Sequence, residues 1–228
     1  MTGQPFRLLR RVALALVCVA SVGRAQINVS TGLSGGSPLP PGAVDPFWTT
    51  SLDGGSTFQP TFVLGDAFNT PCGCGIIPNT AQGQWINPTG TIASGWPIGP
   101  TVYTRRTFDL TGYDLTTVSL SGNWSVMDSN LGLYLNGALI PGTTLTYPAN
   151  NPWQALHAFF VSGAGNFNAA INTLEFQTTT VNSIYDGVMI SDGFVRGQVT
   201  STPEPASIAL VATGLAGLAV VTRRRRVG

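Results

Sequence analysis

The chain has no lysine, one histidine (His157), and a single glutamate, Glu175, between residues 26 and 201. Nucleophilic catalysis of the Ser-His or Cys-His kind has one histidine to draw on, in the strand-like context "ALHAFF", where alternation places it beside aromatics as a structural or exposed residue. The one Gly-x-Ser-x-Gly match, Gly32 to Gly36, reads as flexible linker rather than a nucleophile elbow, and there is no phosphate-cradling loop. A glycosidase needs two carboxylates at a set separation, and most aspartates here stand in turn-like contexts such as "LDGG", "YDGV" and "SDGF". Positive charge is scarce between the termini. Nine acids against three arginines (Arg105, Arg106, Arg196) give residues 26–201 a formal charge of −6. Nucleic-acid binding needs clustered positive charge, so that class is excluded.

What cations there are stand at the two ends. The first 25 residues read as a signal peptide: arginines up to Arg11, an apolar stretch at 12–20, and small residues ending at Ala25, with cleavage expected between Ala25 and Gln26. At the other end Pro203-Glu204-Pro205 precedes an uncharged run, and Arg223, Arg224, Arg225 and Arg226 follow it. A transmembrane helix is expected over 206–222. Its apolar run, 206–221, is sixteen residues and reaches about 24 Å as a helix, and snorkelling arginines make up the shortfall against the bilayer. By the positive-inside rule the arginines stop transfer and hold the C-terminus in the cytoplasm.

This three-part tail resembles a PEP-CTERM sorting signal. The resemblance implies processing near the triplet by an exosortase, a membrane cysteine protease. It also implies a Gram-negative-type bacterium that makes exopolysaccharide, and release from the inner membrane to the cell surface or matrix. Pro203 and Pro205 hold the segment extended, and Glu204 offers one charged handle.

The remainder divides into a flexible segment, 26–44, and a body, 45–200. The body is rich in Gly, Thr, Ser, Asn and Pro, which favours strands and turns over helices. In "TTVSLSGNWSV" (116–126), Val118, Leu120, Gly122, Trp124 and Val126 share one face, and polar residues share the other. Asn136-Gly137 marks a type I′ hairpin. Further strands are expected at 47–52, 57–64, 84–86, 101–110, 155–163, 172–181 and 185–199. The fold class expected is all-β, an antiparallel jelly-roll-like sandwich. The order of "TFDL", an alternating strand, Asp128, "LYLNG" and "NTLEF" resembles galactose-binding-like jelly rolls. That resemblance implies loops that bind carbohydrate, and it allows a structural calcium near Asp128; no other cofactor is expected.

Cys72 and Cys74, one residue apart, are read as a small disulfide, with free thiols or a metal or redox role as the alternatives. Trp48 and Trp124 are expected in the core. Trp85, Trp96 and Trp153, set among Gly, Pro and Asn, are the candidate sugar platforms together with Asp128, though packing competes for each. The reading that results is an exported, non-catalytic surface or matrix protein with exopolysaccharide as partner. A structural matrix or adhesin component that binds protein, and a glycoside hydrolase, are the alternatives.

Overall fold

The computed structural model describes residues 23–65, 73–91, 97–127, 129–146, 151–180, 186–200 and 213–214. The signal peptide up to residue 22, Pro203 to Pro205 and Arg223 to Arg226 lie outside these. So does the expected span 206–222, apart from Thr213 and Gly214, which are helical. Among the described residues no helix is long and apolar enough to cross a membrane.

Gly23–Thr200 forms one compact unit. Its strands are β1 (Gly23–Asn28), β2 (Leu33–Ser34), β3 (Ser37–Pro38), β4 (Val44–Ser51), β5 (Gln59–Val63), β6 (Ile86–Asn87), β7 (Val102–Asp109), β8 (Tyr113–Val126), β9 (Ser129–Leu135), β10 (Ala138–Leu139), β11 (His157–Ser162), β12 (Ile171–Thr179) and β13 (Val188–Val199). Hydrogen bonding runs in the order β10-β9-β12-β7-β4-β5-β6-β13-β8-β11, with β1 added to β13, and every pairing is antiparallel. The path folds back on itself. Phe176 of β12 meets Trp124 of β8 at 6.3 Å between ring centroids, although six places separate the two strands in that order. β5 and β6 make the corner between the two layers. The expected all-β sandwich is therefore the fold.

Alternation builds the core. In β12, Asn172, Leu174, Phe176 and Thr178 point inward; in β8, Val118, Leu120, Trp124 and Val126 do. Trp48 and Trp124 are buried as expected, both in contact with Phe176. Asn136 and Gly137 adopt φ of 53° and 81°, the two positive angles a type I′ turn requires.

Two expectations change. Residues 26–44 are not a flexible lead-in. Val29 donates its N–H to the Gly193 carbonyl (2.7 Å), and Thr31 donates to Ile190 (3.0 Å). Gln84 fastens the β2–β3 hairpin by donating to the carbonyls of Gly32 and Leu39. The compact unit thus begins well before Asp45, because Val29 and Leu33 supply apolar burial that the glycine-rich composition obscures. "SDGF" is likewise not a turn. Asp192, at φ 52°, sits in a bulge within β13, where the register against β8 shifts between Ser191 and Phe194.

Candidate functional site

Two of the three tryptophans expected as sugar platforms, Trp85 and Trp153, are used for packing. Trp85 is 0 % exposed, and its indole N–H donates to the Ile77 carbonyl (2.8 Å). It belongs to a second small core with Leu64, Ile76, Met127 and Met189. Trp153 is half-buried against the same cluster and donates to the Cys74 carbonyl (3.0 Å). Burial withdraws Trp85 from any ligand. Trp96 and Asp128 lie outside the described residues. Cys74 is disulfide-bonded; Cys72 and Cys18 lie outside the described residues. His157 packs on Trp124, with ring centroids 5.5 Å apart, and its Nε2 is buried without a hydrogen-bond partner.

An open groove lies elsewhere, at the two ends of the sheet path. Among the described residues β10 and β11 each have one strand neighbour, and between them is a cavity of about 280 Å³ lined by Leu135, Leu139, Ile140, Pro141, Phe160 and Asn166. Alternation explains Phe160. Phe159 points into the core, so its neighbour must point out, and Phe160 is left 64 % exposed. Leu139 beside it is also exposed. Asn166, in a short 3-10 turn, donates to the Ser162 carbonyl (2.7 Å), which fixes the amide at the groove's rim. An exposed ring, a positioned amide and two strands at the ends of the sheet path meet there. That combination suits a flat ligand with one apolar face and a rim of hydroxyls.

A second cavity, of about 250 Å³, includes Asn28, Ser30, Leu33, Phe47 and Arg106 in its walls. Its origin is Pro46, which has no N–H to give the β4–β5 ladder. The register there jumps between Asp45 and Thr49, and Phe47 is swung outward. Asp45 takes up the freed backbone donors, accepting from Phe47 (2.9 Å) and Trp48 (3.2 Å), and also from Gly32 of the hairpin (2.6 Å). Arg106 falls on the inward face of β7, in step with Val102, Thr104 and Phe108, and is only 7 % exposed. Its guanidinium lies 4.3 Å from the Phe47 ring centroid. Burial pushes Arg106 down to about 10, against the charge of Asp45, and leaves it a cation at neutral pH. Burial also raises the Asp45 carboxyl, against its backbone hydrogen bonds and Arg106.

A third, larger groove lies along β1 and β13, lined by Arg24, Gln26, Thr117, Arg196 and Gln198. Cleavage after Ala25 would remove Arg24 from it. Phe160, Phe47, Asp45 and Arg106 are not among the site residues expected from sequence. The signal was present in "ALHAFF" and "TVYTRRTF", where a period of two sends Phe160 outward and Arg106 inward.

Residues 201–226 match the family model of the PEP-CTERM protein-sorting motif. The chain therefore carries a C-terminal sorting signal of exported proteins, and the motif implies processing by an exosortase. No curated protein matches the chain. Among solved structures, a family 35 carbohydrate binding module from Clostridium thermocellum is 11 % identical with a TM-score of 0.28, over 54 % of this chain and 87 % of its own. A family 35 module from an environmental isolate is 17 % identical with a TM-score of 0.28, over 56 % and 89 %. Overlaps this loose carry no weight for fold or ligand.

Proposed function

We propose that this is an exported, non-catalytic surface or matrix protein whose sandwich holds a glycan, with the cell's exopolysaccharide as the natural partner. Phe160, standing free in the groove between β10 and β11, carries the reading. A ring so exposed gains little from the fold and offers an apolar face to a pyranose, while Asn166 and the open strand edges meet its hydroxyls. The sorting motif supports the location, since it marks a chain sent out through the inner membrane. After processing near Pro203-Glu204-Pro205 the domain leaves the membrane for the surface. A matrix component that binds protein along the same edge is the second reading, favoured by the side of β11 that has no strand neighbour among the described residues.

A glycan array probed with the full chain in mild detergent tests this, with Phe160→Ala alongside. Binding to a defined glycan that falls about tenfold in a folded Phe160→Ala protein is the expected result, in line with the loss of one aromatic contact. Equal binding by both proteins would move the site elsewhere. No binding on a broad array would leave the protein-binding reading in its place.

A further inference from the structure

Arg106 is an unusual residue to find on the inner face of a strand. Burying a guanidinium costs several kcal/mol unless its donors are satisfied. Here Nε is buried with no hydrogen-bond partner. Phe47 covers a face of the group, and stacking of that kind leaves the in-plane N–H donors unused. The obvious partner, Asp45, acts on Arg106 only through its charge. Its oxygens accept from the backbone N–H groups of Gly32, Phe47 and Trp48 instead. An arginine kept solely to neutralise Asp45 would donate to it. This one lines a cavity of about 250 Å³.

The rest of that cavity fits a small polar anion. Ser30 Oγ accepts from the Gly193 N–H (3.0 Å), and its own hydroxyl proton is left to give. Asn28 Oδ1 is engaged by the Ser30 N–H (2.8 Å), which turns that amide's donor end to other use. Ile27, Leu33 and the half-exposed Phe47 make the apolar part of the wall. The three N–H groups on Asp45 spread its charge into the backbone, which weakens its repulsion of a second anion.

We propose that this cavity is a binding site for a carboxylate, held by the Arg106 guanidinium with Ser30 and Asn28 beside it and with the ligand's apolar flank against Phe47. The site is separate from the β10–β11 groove and stands whether or not that groove holds a glycan.

The test is titration of the full chain with paired small probes. Glucuronate is compared with glucose, and N-acetylglutamate with N-acetylglutamine, so that each pair differs by its carboxylate. Heat of binding and the Arg106 Nε–H resonance are followed. The acid of at least one pair should bind and shift that resonance, while its neutral mate does not. Which pair responds tells whether a sugar or an amino acid carries the group. Arg106→Met should weaken binding of the acid by about tenfold or more, the scale of a charge-assisted hydrogen bond. Arg106→Lys keeps a charge beside Asp45 but loses the fork, and should also weaken it; Phe47→Ala, at an exposed position, serves if either fails to fold. Acids that bind no better than their neutral mates would overturn the proposal. So would an unmoved Arg106 resonance, or full affinity in folded Arg106→Met.

Discussion

Asp53 shows how a single side chain can hold a turn. Its carboxylate accepts hydrogen bonds from the Ser51 and Thr57 hydroxyls (both 2.6 Å) and from the backbone N–H groups of Thr57 (2.9 Å) and Ser56 (3.0 Å). The Ser51 hydroxyl, then the bonds from Thr57, hold the group well below its ordinary 3.8. A carboxyl depressed in the folded state contributes stability that is complete above its unfolded value and lost as pH falls through the folded one. Asp53→Asn should therefore lower the melting temperature at neutral pH and flatten the loss of stability below pH 3.8, as read by calorimetry across that range. Asp45 is the buried counterpart. Asp45→Ala strands three backbone donors and leaves Arg106 without its counter-charge, so a loss of about 3–5 kcal/mol in urea unfolding is expected. Asp53 in "LDGG" was legible as a turn former. Asp45 was not, because its partners come from Gly32 and from a bulge that Pro46 creates, and local pattern shows neither.

Strands and hairpins were the most legible level, since alternation and turn chemistry are local. Asn136-Gly137 is the clearest case. The Asn136 side chain also donates to Asn172 (2.8 Å) and to the Asn166 carbonyl (3.1 Å), and accepts from the Thr173 N–H (2.9 Å). The turn is thus tied to β12 as well as closing β9 onto β10. Asn136→Ala should cost about 2 kcal/mol, because both the left-handed preference and these bonds are lost. Gly83 makes the complementary point. A Cβ there would fall on the Ile190 carbonyl oxygen and the Ser191 Cα, both backbone. Gly83→Ala should destabilise by about 1–3 kcal/mol in the same assay, as overpacking does. Nothing in "AQGQW" announces that approach, which depends on β13, more than 100 residues away. The early segment was misread for a similar reason. Glycines and prolines between Thr31 and Gly42 look like linker, while Val29 and Thr31 bond to β13, Thr31 bonds to Gln84, and Leu33 is buried.

For the whole molecule, the two ends decide where it works and the sandwich decides what it can hold. The tail was readable because a sorting signal is linear: triplet, apolar run, arginines. The proposed binding surface was not, because tryptophan content pointed to loops whereas the fold spends Trp85 and Trp153 on a second core and leaves Phe160 outside. If the tail acts as the motif implies, Glu204→Ala should hold the uncut precursor in the inner membrane, seen as full-length mass in that fraction. The most direct measurement of the central claim is fractionation of cells that make the protein with its tail intact, either as wild type or with the Phe160→Ala substitution. The processed wild-type chain should travel with the extracellular polysaccharide, the variant should be exported and folded but wash free, and the polysaccharide should keep its length in both. A chain that stays at the inner membrane, a variant held as firmly as wild type, or polysaccharide shortened by the protein would contradict it.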